Sequence, residues 1–181
     1  MQPRLFLMRR RPTIELAGSA VLRGASRAVR HAELPSLSPL LRDMAEYLVS
    51  TRSRGIASPQ LGVPLRLFMI SSQCDGRAPD GRTLAVLNPR VVRSSRSAVS
   101  EWEGCLSVPD YAAMVSRPRS VDVEYETLAG ATVRRVLTGD YARVFQHELD
   151  HLDGILFTQR ADLATLTHTS VLQGLGGEAI R

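Results

Sequence analysis

Gln146-His147-Glu148-Leu149-Asp150-His151-Leu152-Asp153 is the stretch that decides how this chain is read. His147 and His151 are four residues apart. On an α-helix, positions i and i+4 lie one above the other on the same face. Two imidazoles so placed can grip one metal ion from one side. Glu148, next to the first of them, is positioned to handle the proton of a metal-bound water. This is the H-E-x-x-H pattern of metal-dependent hydrolases. Apolar residues flank it: Val144, Phe145, Leu149, Leu152, Ile155, Leu156 and Phe157. They predict a buried helix rather than a solvated charged face. The pattern alone also fits a helix with two structural histidines, so the rest of the chain must decide.

At 181 residues the chain is expected to form one domain, residues 1–181, large enough to bury its own core. Hydrophobic content of 44% and charged content of 23% are ordinary for a globular protein. No apolar run approaches the ~20 residues a membrane helix needs, so no membrane association is expected. Two cysteines, Cys74 and Cys105, make no disulfide framework and suggest a reducing compartment. The formal charge is +5, and all 23 basic residues are arginine. That balance can draw anionic partners. The arginines are scattered, however, aromatics are only 5%, and basic and aromatic residues do not interleave. Sequence-specific nucleic-acid binding is therefore not expected. Met1–Pro12 is a basic segment with four arginines and no acid. Its apolar part is too short for a secretory signal. An Arg-rich, acid-poor start also suits the remnant of a mitochondrial transit segment, but we read it as the basic start of a cytoplasmic, bacterial protein.

Along the chain, residues 13–35 read as an irregular leading segment. Leu37, Leu40, Leu41, Met44 and Leu48 follow 3-4 spacing and predict a helix that ends near Ser50, capped by Ser36 or Ser38. Ser53–Gly62 is a Gly- and Ser-containing loop that something approaches closely. Leu65–Ile70 and Leu84–Val92 read as strands, with Pro89 at an edge or bulge. Ser71–Arg82 is a loop and Arg93–Ser100 a polar turn. Val121–Tyr125 alternates with period 2, Ala129-Gly130 makes a turn, and Thr132–Leu137 returns beside it. Thr138 or Asp140 caps the histidine helix, which Gly154 interrupts or ends. From Asp162, Leu163, Leu166 and Leu172 suggest a last, weaker helix. Residues 174–181 form a Gly-rich tail. The predicted fold class is α+β, with antiparallel strands surrounding a central metal-binding helix.

A catalytic metal of this kind takes a third protein ligand and keeps one position open. Thermolysin-like enzymes use a downstream Glu, but here the only later one is Glu178, in the tail. Metzincin-like enzymes use a third His, and Phe157 stands at that spacing. Cys105 remains as a candidate, inside Glu103-Gly104-Cys105-Leu106-Ser107. Three separated stretches then coincide with one family. Ser53–Gln60, Glu103–Ser107 and Gln146–His151 resemble the G-φ-G-φ-A-A-x-Q, E-G-C-L-S and Q-H-E-x-D-H segments of the peptide deformylases, in that order. Gly139, Ala142 and Arg143 are similar to organellar-type members, although Asp140 stands where those usually carry Trp.

The resemblance implies hydrolysis of the formyl group from N-formylmethionyl peptides, on nascent chains at the ribosome, with release of formate. It implies one divalent metal on Cys105, His147 and His151. Iron(II) is the expected ion, with zinc, nickel or cobalt able to replace it. Glu148 becomes the proton carrier, and the Gln60 side-chain amide and the Leu106 backbone N–H become oxyanion donors. The backbones of Gly55 and Gly104 hold the substrate strand, beside Arg54. Glu103 is expected to pair with an arginine, and Asp150 to orient a histidine. Cys74, His31 and His168 are read as bystanders. The first segment departs from the family. Ser53 replaces a Gly, Arg54 an apolar residue and Ser58 an Ala, which bears on substrate preference. Two alternatives follow: a deformylase-like paralogue with weak or altered activity because of Ser53, Arg54 and Ser58, or a metal-stabilised binding module that docks through its basic surface. The intact Glu148 argues against the second.

Overall fold

The computed structural model describes residues 13–71 and 83–174. The basic segment at 1–12, Cys74 with most of its loop, and residues 175–181 of the tail lie outside them. The structure has two antiparallel sheets and one helix between them. The larger sheet has the order β1 (Gly55–Ala57), β2 (Leu67–Ser71), β3 (Thr83–Ser94), β6 (Ser120–Glu126), β7 (Thr132–Thr138). The smaller has the order β4 (Ala98–Cys105), β5 (Val108–Pro118), β8 (Ala161–His168). Helix α2 (Gly139–Leu152) lies against both, as an α+β fold around a central helix requires.

Side-chain alternation explains the layering. Successive residues of a strand face opposite sides of its sheet. On β2, Phe68 and Ile70 face α2, where they join Val121, Val123, Val144, Phe145 and Leu152. Phe68 meets Phe145 edge-on at 5.1 Å between ring centres. Leu67 and Met69 face the other way and meet Met44 and Leu48 of helix α1 (Ser38–Thr51). With helices on both sides, β2 is buried throughout, and a near-continuous apolar run is the sequence signature of such a strand. In α1, Pro39 sits in the first turn, where its missing N–H is no loss.

Most expected elements form within a few residues of their predicted bounds. The break expected at Pro89 is a register shift between Leu87 and Arg90, with Asn88 at a positive φ of 48°. The polar stretch at 93–100 is less of a turn than expected, because β3 runs to Ser94 and β4 begins at Ala98. Thr138 takes the N-cap position of α2 without a side-chain cap hydrogen bond. The last predicted helix is wrong over most of its length. Residues 161–168 form β8, paired with β5 through Ala161↔Val115 and His168↔Tyr111, and only Thr169–Gly174 is helical. Leu163 and Leu166 are exposed, so their spacing marks no core-facing stripe. The open edge of β5, with Thr165 and Thr167 suited to a pleated strand, overrides the helical period.

The irregular leading segment has a definite task. The Glu15 N–H donates to the Gln60 carbonyl at 2.8 Å, the Ala17 N–H to the Ser107 carbonyl at 2.8 Å and the Ser26 N–H to the Leu152 carbonyl at 2.8 Å. One strap thus ties together the three stretches that carry the motifs. Gly154, at φ 74°, lets the end of α2 pass against the Arg23 carbonyl, where a Cβ would lie only 2.7 Å away. Among the described residues, no helix is long and apolar enough to cross a membrane.

Candidate metal centre

Strand β4 and helix α2 build the centre between them. On one face of β4, alternate residues are Glu101, Glu103 and Cys105. On one stripe of α2, every fourth residue is Arg143, His147 and His151. Two strand residues advance about 6.6 Å and four helix residues about 6.0 Å, so the two rows stay in step. Three rungs result. Arg143 Nε meets Glu101 Oε2 at 2.8 Å, His147 Nδ1 meets Glu103 Oε2 at 3.0 Å, and His151 Nε2 lies 3.2 Å from Cys105 Sγ.

The ligand atoms of Cys105, His147 and His151 all lie within 4.8 Å of one another, and all three residues are buried. A cysteine on a strand and two histidines on a helix, with their ligand atoms this close, suit one divalent cation with an open position. The electrostatics fit as well. Burial alone would push the Cys105 thiol up, but His151 and His147 beside it outweigh that and hold it well below the usual thiol range. Burial alone would lower His147, but the Cys105 sulfur and the Glu103 carboxylate raise it well above the usual imidazole value. The surroundings thus favour the thiolate, which is the form that binds metal.

Glu148 is 2% exposed. Burial is the main force on its carboxyl and pushes it up to about 7. Its Oε2 has no hydrogen-bond partner among the described residues, which is unusual for a buried oxygen and suits a group that must take and release a proton. Gly55 lies against it. A Cβ there would sit 2.7 Å from the Glu148 Cδ and 2.8 Å from its Cγ, so the absence of a side chain at 55 makes room for the carboxylate.

Gln60 is 2% exposed. Its Oε1 accepts from the Ala57 N–H at 2.8 Å, which turns Nε2 towards Ser107 Oγ at 3.2 Å and Cys105 Sγ at 3.5 Å. A cavity of about 90 Å³ opens beside Cys105 and is lined by Leu106, Val108 and Tyr111 among others. Gly104 precedes Cys105 in β4, opposite Ala112. Arg54 is apart from the chelating atoms and pairs with Asp140 in the first turn of α2 at 2.7 Å. Of the bystanders, His31 faces Glu126 at 3.7 Å and His168 packs edge-on against Tyr111.

Behind the ligands lies a buried charge network. Arg117 donates to both oxygens of Glu103 at 2.6 and 2.8 Å and to Asp150 at 2.8 Å. Arg143 donates to Glu103 at 2.7 Å. Arg160 grips Asp150 at 2.6 and 2.7 Å. Burial alone would raise the Glu103 carboxyl, but the hydrogen bonds from Arg117 and His147 hold it well below the usual carboxylate range. Glu103 does pair with arginines, as expected. Asp150 does not orient a histidine: Glu103 does that for His147, and Asp150 anchors Arg117 and Arg160. The helix turns Asp150 away from the stripe that carries His147 and His151. No sequence pattern singles out Arg117 or Arg160 among 23 scattered arginines; only the fold brings them together.

Two of the departures in the first segment have structural explanations. Ser58 is fully buried, and its Oγ donates to the Leu65 carbonyl at 2.8 Å. Ser53 is buried, 2.7 Å from Thr51 Oγ1 at the end of α1.

A buried cysteine and two histidines, with a buried glutamate on an H-E-x-x-H helix, define a metallohydrolase centre. Residues 12–166 match the family described as polypeptide deformylase. The chain is 38% identical to peptide deformylase 2 of Nostoc sp. over 161 residues, 86% of this chain and 89% of that one. It is 39% identical to peptide deformylase 2 of Shewanella oneidensis over 153 residues, 83% and 84% of the two chains. The fold superposes with a TM-score of 0.74 on the Met-Ala-Ser-bound class I type b peptide deformylase of Acinetobacter baumannii, at 35% identity over 81% of this chain and 96% of that one. With peptide deformylase from Plasmodium falciparum the TM-score is 0.77, at 26% identity over 90% and 91%. The chain belongs to the peptide deformylase family.

Proposed function

We propose that this chain, as one catalytic domain, removes the formyl group from N-formylmethionyl peptides, and that nascent chains in the bacterial cytoplasm are its substrates. The observation that carries the reading is the buried meeting of Cys105, His147 and His151, beside the Glu148 oxygen that has no hydrogen-bond partner among the described residues. The bacterial relatives named as deformylases and the Met-Ala-Ser held by the Acinetobacter enzyme support the substrate class.

In this account Cys105, His147 and His151 hold one divalent cation, for which iron(II) is the assignment we favour and zinc, nickel or cobalt the replacements. When bound, that ion supplies Lewis acidity, which acidifies water and polarises the formyl carbonyl. Glu148 accepts the proton of the attacking water and returns it to the amine nitrogen as the carbon–nitrogen bond breaks. A carboxyl near 7 suits both halves of that transfer at neutral pH. Gln60 Nε2 and the Leu106 backbone N–H donate to the oxygen on which negative charge develops. One such donor is typically worth about 10²–10³ in rate. Glu103 holds the His147 ring through Nδ1, leaving Nε2 for the cation.

Strand β1 presents the substrate. Among the described residues its one strand partner is β2, which leaves its other edge to take an extended peptide. The Arg54 carbonyl accepts from the Ser71 N–H of β2. By alternation, the Gly55 peptide groups face the free edge. The Ala57 N–H, of the same parity as Gly55, bonds the Gln60 side chain and not β2. Gly55 and, on the opposite side, Gly104 are the backbone positions for the substrate strand.

Formate release from formyl-Met-Ala-Ser by the anaerobically iron-loaded protein tests the proposal. Turnover that disappears in Glu148→Ala, with the metal still bound, is the expected result. A metal-loaded parent without turnover contradicts it and favours a binding module.

A further inference from the structure

We propose that the cavity at the outer end of the β4–α2 ladder binds a phosphate group, free or carried by a small molecule such as a mononucleotide. This is a second site, and it does not depend on the deformylase reading. Shape, charge and donor capacity carry it.

The ladder explains why a cavity forms there. One step beyond Glu101 on the strand row stands Val99, and one step beyond Arg143 on the helix row stands Gly139. A fourth rung would need two long side chains, and this pair has none. A Cβ built at Gly139 would meet nothing within 4 Å. The result is a cavity of about 360 Å³, lined by Val99, Glu101, Arg117, Arg119, Gly139 and Arg143 among others. That volume exceeds what one small ion needs and falls within the range of small-molecule pockets, about 300–1,000 Å³.

The charge in the lining is unbalanced. Three guanidinium groups face one carboxylate, Glu101, which Arg143 Nε already holds at 2.8 Å. The acids that pair with Arg117 are Glu103 and Asp150, and neither lines the cavity. Arg119 is exposed, and among the described residues no ion pair or side-chain hydrogen bond reaches it. It is the cation left over in the cluster. The first turn of α2 adds potential of the same sign.

Arg119 is also fixed in place. It is the single residue between β5 and β6. Its N–H donates to the Ser97 carbonyl at 3.0 Å, and its carbonyl accepts from the Gly139 N–H at 3.3 Å. A mouth pinned on both sides loses little freedom when a ligand arrives. Of the five N–H groups of Arg117, three bond to Glu103 and Asp150, and Arg119 adds a complete fork. A tetrahedral, doubly charged group accepts from several such donors at once, which is why arginine clusters select phosphate.

Calorimetric titration of the zinc-loaded protein with inorganic phosphate, AMP and adenosine tests the proposal. The parent is expected to bind phosphate and AMP but not adenosine. Arg119→Ala is expected to bind both about tenfold more weakly or worse, the loss of one charge-assisted contact, with Arg119→Lys in between. Thermal melts confirm that each variant is folded. In ¹H–¹⁵N spectra of the parent, the Val99, Arg119 and Gly139 amides are expected to shift as phosphate is added. AMP bound more tightly than phosphate identifies an ester as the ligand, and equal affinities identify the free anion. Phosphate binding that Arg119→Ala leaves within twofold places the anion elsewhere, at the metal for example, and overturns the proposal. So does a parent that binds neither phosphate nor AMP at millimolar concentration, whether or not it binds an RNA oligonucleotide.

Discussion

Glu148→Gln removes one titratable group and leaves the shape of the site nearly unchanged. In the metal-free protein its effect on stability has a definite sign. Burial pushes the Glu148 carboxyl from its ordinary 4.5 up to about 7. Between those values the unfolded chain has released this proton and the folded chain still holds it. Stability therefore falls as pH rises through this window and is flat above it. The gap of about 2.5, at 1.36 kcal/mol per pKa unit, corresponds to a cost of about 3 kcal/mol at pH 8 in the parent. Glutamine bears no such cost. Denaturant unfolding of the two metal-free proteins is expected to give similar stabilities near pH 4.5 and an advantage of about 3 kcal/mol for the variant at pH 8. With metal restored, the variant is expected to lose about 10²–10⁴ in hydrolysis, the range for a positioned proton carrier. A variant that gains no stability between pH 4.5 and pH 8, or that hydrolyses within tenfold of the parent, would refute the assignment of Glu148 as a buried, proton-holding base.

Further consequences concern the groups around that carboxylate. Gly55→Ala puts a methyl 2.7 Å from the Glu148 Cδ; steady-state kinetics with metal analysis are expected to show about 10²-fold slower turnover at full metal content. Glu103→Gln leaves Arg117 and Arg143 short of a buried partner, so thermal or denaturant unfolding is expected to show a loss of about 3–5 kcal/mol, and competition with a chelator about 10–100-fold weaker metal binding. Ser58→Ala removes only the bond to the Leu65 carbonyl; stability is expected to drop by about 1 kcal/mol with kcat/KM unchanged. The metal-free site raises His147 and lowers Cys105, which favours a proton on the imidazole that a bound cation would displace. Calorimetry in buffers of different ionisation enthalpy is expected to show about one proton released per ion.

The helix, both histidines and the buried Glu148 beside them were legible in Gln146–Asp153 because a helical period projects onto sequence directly. The antiparallel β6–β7 pair was legible for the same reason, through its period-2 pattern and Gly130. The ladder between β4 and α2 was only half legible. Glu101-x-Glu103-x-Cys105 and Arg143-x₃-His147-x₃-His151 each carry a period, but nothing in either row says that the two meet in step, since a strand and a helix distant in sequence align only through the packed fold. The exchange of roles between Glu103 and Asp150 follows from this. Beside two histidines, Asp150 looks the better partner in sequence, whereas the distant Glu103 is the closer one in space. The helix expected over Leu163 and Leu166 failed for a related reason, since the open edge of β5 cannot be read from residues 161–168.

Titration of the metal-free protein with iron(II) under anaerobic conditions, with formate release from formyl-Met-Ala-Ser followed at each addition, tests the central claim most directly. One cation held by Cys105, His147 and His151 predicts activity that rises linearly and breaks at one equivalent, with no such rise in Cys105→Ala. Undiminished activity in that variant, or one bound equivalent without formate, would contradict the account.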